Sequence, residues 1–305
     1  MFKSLQMYRF TRPLELAAHQ IEEQLKGNLF TPCGRNDMGK FGWVSPFGTG
    51  SPVLVHAIEG HFILKARKET KKVPGRVLKE MMAEEIEKQE SQLGRALKKK
   101  EKDGLKEDII ADLLPRLFPS TEDTYLWIDT RKGFLHVDAT SAKKADDVLS
   151  LLRKSLGSLP VVPIALKNPV EITLTEWLSE GNVPANFSVE SEATFKSAME
   201  DGGDANYKKQ DLFSKEIKAV LDADKLVTKL SLCWAERISF SVNDAFSLNR
   251  ITFSEDLKDE VSDAAGEGAA AYLDANFALA TGQLTMLVDD LIDAFGGMEE
   301  AVKEA

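Results

Sequence analysis

TYLWIDTRKGFLHVDATSAKKADDVLSLLRKSLG, residues 124–157, holds in miniature the two kinds of element from which this chain is built. Tyr125 to Asp129 and Gly133 to Asp138 are short runs of alternating, strand-forming character, and Arg131-Lys132-Gly133 joins them as a turn. A helix follows. Ser141 is a good N-cap, because its side-chain oxygen can accept a hydrogen bond from a backbone amide left free in the first helical turn. Ala145, Val148, Leu149, Leu152 and Leu156 then fall on one face, and Gly157 supplies the stop. Strand, turn, strand and amphipathic helix in immediate succession place the fold in the α+β class.

Working outward, Leu5 to Phe10 and Val53 to Ala66 read as further strands. Pro13 to Lys26 reads as a helix with Leu14, Ala17, Ala18, Ile21 and Leu25 on one face and Gly27 beyond its end. In the second half, Ile172 to Leu174, Val227 to Cys233, Arg237 to Val242 and Arg250 to Phe253 read as strands, the last two flanking a turn at Asn243-Asp244. Ala275 to Ala280 reads as a strand preceding a helix that carries Leu284, Leu287, Val288, Leu291, Ile292 and Phe295 and stops at Gly296-Gly297. Strand, helix and glycine stop thus recur at Phe134–Gly157 and Phe277–Gly297, as an internal repeat or as a common α+β unit used twice.

Between these regions, Pro74 to about Lys100 is compatible with one long helix with a narrow stripe of Leu78, Met82, Ile86, Leu93 and Leu97. At 1.5 Å per residue it would span about 40 Å, more than the width of a small domain. Asp103-Gly104 is expected to break it, and a second helix with Leu105, Ile109 and Leu113 would run to Leu114-Pro115. The expectation is mixed sheets with packed helices and a projecting helical hairpin. Residues 1–75 with 119–166 form a discontinuous N-terminal α+β domain, 76–118 the hairpin, and 167–305 a C-terminal α+β domain.

Charge is segregated along the chain. The net charge of the 305 residues is −10, yet His61 to Lys106 holds fourteen Lys/Arg against eight Asp/Glu, and Ser254 to Ala305 holds two against thirteen. A polyanion responds to the local field within a screening length of about 10 Å, so overall acidity does not exclude nucleic acid. No apolar run approaches the roughly 18 residues of a membrane span, and a cytoplasmic protein without membrane contact is expected. Cys33 and Cys233 are far apart and lack any CxxC or Cys/His cluster, which argues against a disulfide or structural zinc.

Catalytic signals are weak. Gly34 to Lys40 fits the spacing of a phosphate-binding loop, but Phe41 stands where the magnesium-ligating hydroxyl belongs and no helix follows. His19, His56, His61 and His136 show no ligand spacing. Asp256/Asp259/Glu260 and Asp289/Asp290/Asp293 could hold magnesium or could be the solvated faces of helices. Basic clusters are the stronger lead: Lys65/Arg67/Lys68/Lys71/Lys72, Arg95/Lys98/Lys99/Lys100, Lys143/Lys144 and Lys208-Lys209-Gln210. Such cations neutralise phosphates whatever the base sequence, and no base-reading motif accompanies them.

Several blocks together resemble the bacterial recombination-associated RdgC family. They are Phe30-Thr31-Pro32-Cys33-Gly34, Gly42-Trp43-Val44, Leu113-Leu114-Pro115-Arg116 with Phe118, Trp127-Ile128-Asp129-Thr130, Ser141 to Ala145, Leu151 to Pro163, Leu174-Thr175-Glu176-Trp177 and Lys208 to Leu212. They cover essentially the whole chain in order. The resemblance implies a non-enzymatic, nucleoid-associated protein whose homodimer closes into a ring around double-stranded DNA and limits the access of RecA recombinase, with no cofactor or metal. It places Arg95, Lys209 and Gln210 in blocks associated with DNA contact and Phe118 in the contact that closes the ring. A magnesium-dependent DNA-processing enzyme and a protein-binding adapter are the competing readings.

Overall fold

The computed structural model describes residues 2–299 apart from 49, 198, 200, 201 and 267. The end of the acidic C-terminal segment, residues 300–305, therefore lies outside the described residues. The class is α+β, with two sheets whose ladders are all antiparallel. The first sheet contains β1 (Gln6–Phe10), β2 (Gly39–Val44), β3 (Val55–Ile58), β4 (His61–Thr70), β5 (Ser120–Asp129), β6 (Phe134–Val137) and β7 (Val161–Pro163). Its order is β2-β4-β5-β6-β1-β7, with β3 also on β4. The second sheet has β8 (Phe187–Ser197), β9 (Ala205–Lys208), β10 (Lys225–Trp234), β11 (Ile238–Asn243) and β12 (Leu248–Phe253), in the order β12-β11-β10-β8-β9.

The hairpin of β5 and β6 forms as read, with Asp129 paired to Phe134, and Ser141 Oγ caps α4 (Ala142–Leu156) by accepting from Lys144 N. One face of the first sheet, including Leu64, Leu126, Ile128, Leu135 and Val137, packs on α4 and on α1 (Ala18–Leu25). Helix α1 begins later than Pro13 suggests, where Gln20 reaches back to accept from Ala17 N at 2.9 Å. The opposite face, with Met7, Ile63, Trp127 and Phe134, belongs to a larger core shared with the second sheet.

Three local readings are overturned by tertiary context. Val53 to Ala66 is two strands, because Glu59 and Gly60 have φ of 46° and 85° and turn the chain in the geometry that joins β3 to β4. Ile172 to Leu174 lies inside α5 (Val170–Glu180), where Val170, Thr173, Leu174, Trp177 and Leu178 bury a helical face. Ala275 to Ala280 is not a strand but part of the long helix α8 (Ala269–Ala294), so the second strand–helix unit does not exist. Phe277, Ala280 and Leu284 continue a single 3.6-residue stripe, and burial against two sheets selects the helix over the strand.

The remaining helices are α6 (Lys215–Leu221) and α7 (Glu255–Ala264), beside the hairpin pair α2 (Gly75–Leu93) and α3 (Lys99–Leu113). The hairpin is present, but its turn differs from the expected one. Gly94 adopts φ 64° and stops α2, whereas Gly104 sits within α3. Leu97 folds inward onto Leu105 and Ile109, so residues 94–98 form the bend and bury its one large apolar side chain. Any helix cost of Gly104, about 1 kcal/mol, is smaller than what this burial returns.

His136, on the shared-core face of β6, is fully enclosed and stacks on Trp127 with ring centroids 4.3 Å apart. Trp127 in turn donates its indole hydrogen to His61 Nδ1 at 3.1 Å. Burial, and secondarily the nearby His61, holds the His136 imidazole down at about 3 from its ordinary value of 6.5. Between those pH values the unfolded chain binds a proton that the folded chain refuses. This contribution to stability is therefore complete above pH 6.5 and is lost as pH falls toward 3. Urea unfolding of His136→Leu on both sides of pH 6.5 should show a shallower acid loss than the parent, by up to about 1.4 kcal/mol per pH unit. An unchanged slope would remove His136 from the acid response.

Candidate nucleic-acid interface

The glycine-rich stretch Gly34 to Lys40 has the wrong polarity for a phosphate cradle. Such a cradle aims backbone N–H groups inward. Here the carbonyls of Gly34 and Arg35 point at the Lys71 ammonium, at 2.7 and 2.9 Å, and the Leu114 carbonyl joins them at 3.3 Å. Two amides at the start of the stretch are already taken by carboxylates, Gly34 N by Asp37 at 2.9 Å and Cys33 N by Glu69 at 2.8 Å. Gly39 and Lys40 open β2 rather than a helix.

The same accounting changes the meaning of the basic cluster at residues 65–72. Lys65 and Arg67 both pair with Asp123, at 2.9 and 2.7 Å, and Lys68 pairs with Asp147 at 2.7 Å. Lys71 is buried on its three carbonyls. These cations sit on β4 or just past its end and are matched mainly by carboxylates of the neighbouring β5 and of α4, so the cluster is largely internal structure.

Of the expected contact residues, Arg95, Lys98, Lys99 and Lys100 occupy the tip of the hairpin. Glu101 orders that tip: it accepts from Lys98 N at 2.7 Å and grips the Arg95 guanidinium through both oxygens at 2.7 and 2.9 Å. These donors hold the Glu101 carboxyl down at about 2. Lys98, Lys99 and Lys100 are exposed and form no ion pair among the described residues. Lys143 and Lys144 open α4, where Lys144 pairs with Glu122 at 2.8 Å and Lys143 stays unpaired among the described residues.

In the third group, Lys208 ends β9 on the second sheet, and Lys209 and Gln210 follow it. Lys209 takes φ 54°, Gln210 N donates to Ser191 O at 3.2 Å, and Gln210 Nε2 donates to Glu216 at 3.2 Å. Within one chain the three groups are not joined by any hydrogen bond or ion pair among the described residues. Tip, helix start and second sheet are separate stations.

Phe118 is 94% exposed, more than any other large hydrophobic side chain described. A short 3-10 turn at Leu114–Arg116 buries Leu114 instead, and the chain between Pro115 and Pro119 carries the Phe118 ring into solvent. A role in capping the local core is excluded by that exposure.

Three of the six carboxylates considered for magnesium have protein partners. Asp289 pairs with Lys132, Asp290 accepts from Trp234 Nε1 at 2.7 Å and Asn186 Nδ2 at 2.9 Å, and Glu260 pairs with Arg237 at 2.6 Å. No group of three or more His, Cys, Asp or Glu among the described residues is arranged to hold a metal ion. No helix among them is long and apolar enough to cross a membrane.

A family model described as "Putative exonuclease, RdgC" matches residues 1–298. The chain is 54% identical over 301 residues to the recombination-associated protein RdgC of Aeromonas hydrophila subsp. hydrophila, covering 99% of each chain. It is 53% identical to the protein of that name from Tolumonas auensis and 49% identical to that from Psychromonas ingrahamii, each over 97% of this chain and 98% of the relative. The chain belongs to the RdgC family.

In this RdgC-family chain, Lys71 is a structural residue that sequence reasoning placed among the candidate phosphate contacts. Lys71→Met should lower the free energy of unfolding by about 1–3 kcal/mol, because three carbonyls lose their donor. Lys99→Met, at an exposed position, should stay within about 0.5 kcal/mol. Urea denaturation of both variants checks the contrast, and equal losses would show that Lys71 is no clasp.

Proposed function

We propose that this protein is a sequence-independent double-stranded DNA-binding protein that acts as a ring-shaped homodimer around the duplex. In this role it sits on the nucleoid, restrains RecA recombinase and serves recombination and replication-fork repair. The observation that carries the reading is selective neutralisation. In a chain of net charge −10, Lys65, Arg67, Lys68 and Lys71 on and just past β4 are matched internally, whereas Lys72, Lys98, Lys99, Lys100, Lys143, Lys208 and Lys209 have no ion-pair partner among the described residues. Unmatched cations on separate elements suit a polyanion that touches several stations. The names of the relatives support a recombination-associated role.

Arg95 and Gln210 fit the same reading despite their carboxylate partners. An exposed pair such as Arg95 with Glu101 is weakened by solvent and salt, so a backbone phosphate can compete for the guanidinium. Phe118 is the proposed closure contact. An aromatic anchor at an interface centre contributes about 2 kcal/mol or more, and an exposed phenyl ring gains that only by burial in a partner.

Affinity for unrelated duplexes should be similar and should fall with salt at a slope of about −0.9 per phosphate neutralised. Lys209→Glu should weaken binding well beyond Lys258→Glu, a change within the acidic region where Lys258 already pairs with Glu255. Anisotropy titrations decide this, and equal effects would remove Lys209 from the interface. Lys303, the other lysine of the acidic segment, lies outside the described residues.

Phe118→Ser should leave circular dichroism unchanged yet speed dissociation from closed circular DNA, with mass in solution reporting any loss of the dimer. Unchanged dissociation would exclude Phe118 from closure.

The description of the family model favours a second reading, an exonuclease. End-labelled linear duplex incubated with the protein and magnesium or manganese separates the two. The DNA-binding reading expects full-length product, whereas shortening that Asp289→Asn or Asp290→Asn abolishes would establish the enzyme.

A further inference from the structure

The outward face of the second sheet carries a cluster of charge that the chain does not neutralise. Along β8 the inward side chains are Phe187, Ala193 and Phe195, which leaves Glu192 and Thr194 on the other face. Lys208 is the ladder partner of Glu192, and Lys229 of β10 is the ladder partner of Thr194. The register slips between Leu230 and Leu232, so that Val189 and Ala193 flank a bulge in β8 opposite Ser231. Arg250 of β12 reaches across from the far side to Glu192, at 2.5 Å. Together Glu192, Thr194, Lys208, Lys229, Ser231 and Arg250 line a depression of about 340 Å³.

The charge balance of that depression is unlike that of the other basic clusters. Three cations converge on one carboxylate, and the single ion pair formed is that of Arg250 with Glu192. Lys229 is half-buried and has no ion pair among the described residues. Burial first, and then repulsion from Arg250 and Lys208, depresses its ammonium below the ordinary lysine value, against a partial counter-effect of Glu192. At Lys65, Arg67, Lys68 and Lys71 the fold answers each cation with a carboxylate or carbonyls; here it leaves two positive charges uncompensated. A partly desolvated lysine held beside two other cations is destabilised in the free protein and relieved when an anion enters. The hydroxyl of Ser231 and the fork of Arg250 add donors of the kind that suit tetrahedral oxyanions.

We infer that Lys208, Lys229 and Arg250 form a phosphate seat on the outer face of the second sheet that takes a backbone phosphate of the bound duplex. Glu192 opposes entry by competing for Arg250. The inference rests on the DNA-binding reading above and deepens it. The seat adjoins Lys209 and Gln210 directly in sequence, so one strand of the duplex can pass from that turn onto the sheet. Glu192 makes the seat adjustable: its carboxylate holds Arg250 when no phosphate is present and is displaced when one arrives.

The test uses the full-length protein, circular dichroism to establish folding, and anisotropy of two unrelated duplexes over a range of chloride concentrations. Lys229→Gln should weaken binding on the order of tenfold for both duplexes and make the salt slope shallower by about 0.9, one phosphate contact. Glu192→Gln should act in the opposite direction and tighten binding, which a merely structural role would not produce. Lys258→Gln should leave both quantities unchanged. If the parent protein fails to bind duplex, the DNA-binding reading falls and the seat with it. If the parent binds and Lys209→Glu weakens it, but Lys229→Gln leaves affinity and slope intact, the seat alone is overturned. Inorganic phosphate at matched ionic strength separates the two sources of the anion. A Lys229 resonance that responds to free phosphate, in a protein whose DNA binding is indifferent to Lys229→Gln, would give the depression to a soluble anion and overturn its assignment to the duplex.

Discussion

Helix α8 between the two sheets is the contact on which the rest of the architecture depends. Leu284, Leu287, Val288 and Leu291 are fully enclosed, while Tyr272 and Met286 on its other face remain exposed. Toward the first sheet, Phe277 meets Tyr125 with ring centroids 5.6 Å apart and Asp289 pairs with Lys132. Toward the second, Asp290 receives the indole hydrogen of Trp234. Of these contacts, the partly buried indole of Trp234 is the group that would otherwise lack an acceptor, and leaving such a donor unsatisfied costs about 1–3 kcal/mol.

Two backbone seams reinforce the contact. The N-terminal segment pairs with the second sheet, Leu5 with Leu248 in both directions at 2.8 and 3.0 Å, before it enters the first sheet as β1. After α8, Gly297 and Glu299 exchange hydrogen bonds with Lys167 and Ala165 at 2.9 and 3.0 Å. The ends of the described chain thus each stitch one half to the other, and the shared core is closed by segments distant in sequence. The hairpin stands apart from this arrangement, held by its own small cluster of Leu97, Leu105 and Ile109 and fastened at its base by Lys71.

Electrostatics follow the same division. Cations near the packed layers are spent within the fold, on Asp123, Asp147, Glu122 and the carbonyls around Lys71. Those at the hairpin tip and around β9 remain open. An overall acidic protein can therefore present local positive potential, because screening over about 10 Å keeps the acidic helices from cancelling it. Phe118 is the apolar counterpart, a large ring left in water where the neighbouring Leu114 is buried.

Local sequence determined the elements whose burial is decided by near neighbours. The hairpin and capped helix of residues 124–157, the strands around Val227 to Phe253 and the antiparallel helical pair were all legible, because turn chemistry and periodicity act over a few residues. Ile172 to Leu174 and Ala275 to Ala280 were not, since a short apolar run suits either a strand or one turn of helix until the surface it must cover is known. The site shows the same limit more sharply. Lys65, Arg67, Lys68 and Lys71 look equivalent to Lys98, Lys99 and Lys100 in a list of charges. Their partners lie 56 residues away for Arg67 and 79 for Lys68, across ladders and layers that only the tertiary structure brings within 3 Å. The sequence determined which cations exist; the packing decided which of them remain free, because neutralisation depends on distance in space and not on position along the chain.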